Sequence, residues 1–91
     1  MSKSNRKETS GFAQRRQRRA EFMTRLYEKV DASVSQFVSA FDIASEMEMP
    51  AADALRTIEY LEEKQYIHID DHKQGIIRIT AAGIDQVEMG S

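Results

Sequence analysis

Apolar positions along this chain change their period twice, and the changes predict its elements. Phe22, Met23, Leu26, Tyr27 and Val30 recur at helical spacing, which predicts a helix running to Val30 from a start at Ser10-Gly11, with Ser10 as cap. Phe12 lies ten residues before Phe22, beyond that stripe. Glu21 is spaced to pair with Arg18 and Arg25, and Arg25 with Glu28. Asp31 to Gln36 is a polar connection, and Phe37-Val38 is short and β-prone, suited to a brief first strand. Ser39-x-x-Asp42 resembles a capping box with Asp in place of Glu, and Phe41, Ile43, Ala44 and Met47 form the apolar positions of a second helix. Glu48-Met49-Pro50 is a turn. Pro is tolerated only in the first turn of a helix, so Pro50 sets the start of a third one, whose buried face is Ala54, Leu55, Ile58 and Leu61. After Lys64 the period falls to two. Ile67 and Ile69 face inward, His68 and Asp70 outward, and after a turn ending in Gly75 the strand returns with Ile77 and Ile79. Thr80 is placed to cap a last helix, Ala81 to about Met89, with Ile84 and Val87 as its contacts.

Composition narrows the class. The 91 residues suffice for one domain with one modest core, and 31% charged side chains against 41% hydrophobic ones suit a globular chain. No apolar run reaches the length of a membrane span, and the N-terminal stretch lacks the apolar centre of a secretory signal. With no cysteine, disulfides, thiolate metal sites and thiol catalysis are excluded, and a reducing cytoplasmic setting is expected. Charge is unevenly placed. Residues 1–20 hold seven basic side chains and one acidic, a net of +6, whereas residues 21–91 hold six basic and fourteen acidic, a net of −8. The chain therefore reads as a disordered basic arm over residues 1–11 followed by an acidic domain over 12–89, an asymmetry that points to a polyanion or an acidic partner.

The order of elements carries a resemblance. Phe41-Asp-Ile-Ala-Ser-Glu-Met, Met49-Pro50, Leu61-Glu-Glu-Lys-Gln-Tyr-Ile67 and Ile79-Thr-Ala-Ala-Gly83 are similar to the helix, turn, recognition-helix end and final-helix start of prokaryotic winged helix-turn-helix regulators, over residues 20–89. The resemblance implies a mainly α fold with a small β-sheet (α+β): a three-helix core, a β-hairpin wing and a short C-terminal helix. It implies double-stranded DNA as partner and a small transcriptional regulator as function. Two positions depart from the pattern, Gln65 where the family has Gly and Pro50 where it has a polar cap. The recognition surface departs further. Ala51, Ala52, Asp53, Arg56, Thr57 and Glu59 or Tyr60 would face a groove, and among them only Arg56 is basic, while Asp53, Glu59, Glu62 and Glu63 repel phosphates.

The candidate nucleic-acid-binding residues are therefore Arg15, Arg16, Arg18 and Arg19 of the arginine cluster, Arg56 and Thr57 of the third helix, and Lys73 and Arg78 of the wing. In the cluster, cations crowd the first turns of the expected helix, where the dipole is already positive, so helix stability does not explain them and a polyanion partner would; a solvated charged arm that keeps the acidic domain soluble, or that docks on its acidic face, is the alternative. Arg78 is equally spaced to pair across the hairpin with Asp70 or His68. His68, Asp70 and His72 on one strand face are a weak metal constellation, better explained as an exposed polar strand, so neither metal nor cofactor is expected. No phosphate loop, nucleophile elbow or metalloprotease motif is present, so the chain is not expected to be an enzyme. Two alternatives stay open: a winged-helix module whose acidic third helix docks on a basic protein, and RNA binding through the arginine-rich arm. Whether the chain forms a homodimer is open either way, symmetric dimers being the default soluble oligomer.

Overall fold

The computed structural model describes residues 2–33 and 35–90, with side chains from residue 11 onward. The elements run α1 (Ser2–Ala32), β1 (Val38–Ser39), α2 (Ala40–Glu46), α3 (Ala51–Glu63), β2 (Ile67–Asp71), β3 (Ile76–Ile79) and α4 (Ala81–Gly90). The fold is mainly helical with one small antiparallel sheet, ordered β1-β3-β2.

One difference from the sequence reading lies at the N-terminus. α1 has no break at residue 11, where an arm was expected to give way to a domain, and Ser10 lies inside the helix rather than at its cap. The side chains of Lys3, Arg6 and Lys7 lie outside the described residues, as does Val34 in the connection after α1. Arg15 to Arg19 therefore sit several turns into α1. The macrodipole acts within the first turn, so it no longer opposes them. Thirty-one residues at helical rise give ~46 Å, close to the 50 Å long axis of the molecule. Among the described side chains of α1, those that meet the core are in its C-terminal half: Phe22, Met23 and Leu26, which are buried, and Val30, which is packed against them.

The core joins these to Ala40 and Ile43 of α2, Ile58 and Leu61 of α3, and Ile67, Ile69 and Ile77 of the sheet. Each of the larger side chains contributes ~1.5–3 kcal/mol on leaving water. The period-two pattern puts Ile67 opposite Ile79 and Ile69 opposite Ile77, so one sheet face lies on the helices. Val38 pairs with Ile77, and β1 thus closes the second side of β3. Ser39 caps α2 by accepting the Asp42 N–H at 3.3 Å, and Thr80 caps α4 by accepting the Gly83 N–H at 3.0 Å.

Both helix exits toward the candidate site use the same device. α2 ends with Met49 N–H donating to Ala44 O and Glu48 N–H to Ser45 O, and α3 ends with Tyr66 N–H donating to Leu61 O and Gln65 N–H to Glu62 O. These are paired Schellman bonds, and they require a left-handed residue after the cap. Glu48 and Gln65 supply it, at φ 56° and 66°. The departure of Gln65 from the expected Gly is thus a backbone cost, not a change of geometry. Gly83 is needed for a different reason. A Cβ there would collide with the Tyr66 carbonyl and lie 2.9 Å from Ile79 Cγ1, so its absence lets α4 close onto the hairpin.

Candidate nucleic-acid interface

The fold sorts the cations into two groups. Arg25 and Lys29 on α1 both bind Glu46 of α2, with Arg25 also on Glu21 at 3.0 Å, so the C-terminal half of α1 is clasped to the core. Lys29 and then Arg25 hold the Glu46 carboxylate below its ordinary pKa, against an opposing push from burial. Arg56 lies 3.6 Å from Asp53, and Arg78 donates to Asp70 at 2.9 Å. By contrast, among the described residues Arg15, Arg16, Arg18, Arg19, Lys64 and Lys73 have no carboxylate within ion-pair distance. Of the pairings expected on α1, Glu21–Arg25 is present, while Arg25 turns to Glu46 of α2.

Arg15 and Arg19 are one turn apart on α1, and Arg56 and Tyr60 one turn apart on α3. The two helix faces meet. Arg19 stacks over the Tyr60 ring, 4.3 Å from its centroid, and Arg15 lies over Phe12 at 5.1 Å. Between the helices is a cleft of about 420 Å³, lined by Arg15, Arg19, Asp53, Arg56, Thr57 and Tyr60 among others. Among the described residues, three guanidiniums against one carboxylate leave it cationic. Four of the eight candidate residues thus converge on one site, although two come from α1 and two from the middle of α3.

The others lie elsewhere. Arg16 lines a second cleft on another side of α1, together with Arg19 and Lys64. Arg18 is exposed. Lys73 is exposed in the turn between β2 and β3, and Arg78 sits on the sheet's outer face. Arg78 takes the hairpin pairing rather than standing free: it stacks over Phe37 at 5.7 Å, and the Asp70 hydrogen bond raises its pKa above the ordinary arginine value. The register shift between Ile69 and Asp71 marks a bulge at Asp70, next to the carboxylate that Arg78 uses. That carboxylate is 3.8 Å from His68 Nε2. Thr57 lines the cleft, but its hydroxyl donates back to the Asp53 carbonyl at 2.8 Å, so its proton is committed within α3.

Two residues change role once the partners are known. Glu62, read as part of an acidic outer face, turns toward the sheet and accepts the Ile69 N–H at 2.9 Å, covering a donor on β2, an outer strand of the sheet. Tyr60, one of several residues aimed at a groove, is the platform on which α1 rests its arginine. An exposed aromatic one turn from Arg56 is the only sequence signal for that, and its partner is some forty residues away.

Comparison with family models, with curated proteins and with solved structures found no match to this chain. Among the described residues no helix is long and apolar enough to cross a membrane.

Proposed function

We propose that the chain is a winged helix-turn-helix protein that binds double-stranded DNA, as a small prokaryotic transcriptional regulator. The order α1-β1-α2-α3-β2-β3 supports the fold reading: a helical pair joined by a tight turn, then a β-hairpin wing. The observation that carries the function is the cationic cleft in which Arg15 and Arg19 meet Arg56 and Thr57 of α3. In this reading α3 enters the major groove, and α1 lies beside it against the flanking phosphates. Base reading is limited to Arg56, whose side chain is 80% exposed and tied only to Asp53. Lys73 touches the backbone from the wing, and Arg78 contributes only if it leaves Asp70. Affinity then comes mainly from phosphate contacts, and specificity is modest.

The test is binding to random-sequence duplex across a salt series. Replacing Arg15, Arg16, Arg18 and Arg19 together by Ala removes up to four phosphate contacts, which flattens the salt slope by up to ~3.6. Gln17→Pro keeps every charge but breaks α1 between the arginine pairs, and it is expected to weaken binding as well. Unchanged affinity in the quadruple variant would overturn the reading. Tighter binding of a structured RNA than of a matched duplex would replace DNA with RNA.

A second reading has one observation in its favour. Glu59 and Glu63 on α3 are exposed, and among the described residues neither has an ion-pair partner. Such a surface suits a basic protein patch. Glu59→Gln separates the readings, since it tightens a DNA reader and weakens a module docked on basic protein.

A further inference from the structure

We propose that the cleft bounded by α1, α3 and α4 is a binding site for an apolar small molecule bearing a carboxylate, adjoining the cationic cleft across α1, with which it shares Arg19 and Tyr60. The cleft measures about 490 Å³, within the range of small-molecule sites. Its apolar lining includes Met23 and Leu61, both buried, and the half-buried Val87. Its charged lining is Arg16, Arg19 and Lys64, and among the described residues no acidic one lines it. That is unusual for its surroundings, because residues 21–91 carry a net charge of −8.

The electrostatics point to a missing anion. Arg19 and Lys64 approach the same ring, that of Tyr60, at 4.3 and 5.9 Å from its centroid. Two cations sharing one aromatic platform repel each other, and among the described residues neither has a carboxylate to balance it. Arg25, Lys29, Arg56 and Arg78 each have a carboxylate partner, whereas the three cations of this cleft converge without one among the described residues. A single carboxylate seated among Arg16, Arg19 and Lys64 balances the charge, and guanidinium binds carboxylate in a two-pronged geometry. The apolar lining decides the rest of the ligand. A bare phosphate or a nucleic-acid strand satisfies the cations but leaves the exposed Tyr60 ring and the half-buried Val87 against water, whereas an acyl or aryl chain covers them. The cleft across α1 has the opposite character, with Asp53 in its lining and no buried apolar side chain. The two flanks of α1 thus offer different chemistry: phosphates on one side, an amphiphilic acid on the other.

Decanoate is the probe, titrated into the whole ¹⁵N-labelled chain without nucleic acid and followed by NMR. Saturable shifts are expected at the amides of Met23, Lys64 and Val87, with decanol binding about tenfold more weakly because it lacks the charge. The double substitution Arg16→Ala with Lys64→Ala is expected to bring decanoate down to the level of decanol. Ala20→Trp, at an exposed position that lines the cleft, is expected to block both. Thermal melts of each variant establish that it folds. Equal binding of decanoate and decanol to the unaltered chain, decanoate binding that stays above the decanol level in the double variant, decanoate binding that survives Ala20→Trp, inorganic phosphate competing as strongly as decanoate, or no saturable shift at millimolar ligand would each overturn the proposal.

Discussion

Replacing Glu62 by Ala is expected to destabilise the protein, although the same change at Glu59, less than one helical turn away, is not. The Glu62 carboxylate accepts the Ile69 N–H at 2.9 Å in a partly buried setting, on a strand with no neighbour on that side. A hydrogen bond to a charged group contributes ~1.5–3 kcal/mol, and removing the acceptor leaves a donor unsatisfied. Partial exposure lets water recover some of this, so a loss of ~1.5 kcal/mol is the working figure. In a domain of this size that lowers the melting temperature by ~6–12 °C. Glu59 is exposed and has no such partner, so its substitution stays within ~0.5 kcal/mol. Circular dichroism melts give the difference, and hydrogen exchange at the Ile69 amide locates it. Equal melting of the two variants, with Ile69 exchange unaltered, would refute the role assigned to Glu62. The result also governs the functional test. Charge on the outer face of α3 is to be altered at Glu59 and Glu63, since a change at Glu62 loosens the hairpin and confounds any binding measurement.

Gln65→Gly and Glu48→Gly are each expected to stabilise the protein by ~1 kcal/mol, because left-handed backbone costs a side-chain-bearing residue more than Gly loses in unfolded-state entropy; a drop in melting temperature for both would contradict the Schellman assignment. Glu46→Gln is expected to lower the melting temperature near neutral pH by less than ~1 kcal/mol equivalent, since the clasp is well exposed and screened. The folded-state pKa of Glu46 is depressed, so this contribution is present above the ordinary carboxylate pKa and fades as pH falls through the lower folded value. Melts of both proteins from neutral to acid pH should converge at the acid end, and a constant gap would assign the effect to packing instead.

Much of the fold is legible in periodicity. The stripe from Phe22 to Val30, the Ala54–Leu61 face and the alternation of Ile67, Ile69, Ile77 and Ile79 all become core or near-core positions, because burial enforces a period on any element that has one wet face. What periodicity cannot carry is the identity of polar partners distant in sequence. Arg25 could be matched to Glu28 by spacing alone, yet it binds Glu46, and Glu62 looks like any solvated glutamate until β2 is laid beside α3. The start of α1, eight residues before the expected Ser10, is hidden from the sequence for a related reason. Residues 2–10 have no apolar stripe to announce a helix, so Ser10-Gly11 was the first available start signal. The candidate site was half legible. Its arginines stood out as an unexplained cluster, but which of them meet α3 depends on the helical phase of α1 against Tyr60.

That phase also bears on how an acidic domain could present a cationic surface. With fourteen acidic residues after residue 20, any exposed cation has carboxylates to choose from. Those on the C-terminal half of α1 and on the sheet take them. Arg15 and Arg19 escape that fate because α1 runs on beyond the core, and what they meet on α3, among the described residues, is a ring and another arginine beside Asp53. A helical arm also fixes Arg15 and Arg19 ~6 Å apart along one axis. A disordered arm of the same composition would lose that order and bind through charge alone, ordering itself at an entropic cost on contact. The charge of the cluster and the helicity of α1 are therefore separable contributions. If affinity depends on both, the extension of α1 past the core is part of the binding surface and not merely a tether that carries it.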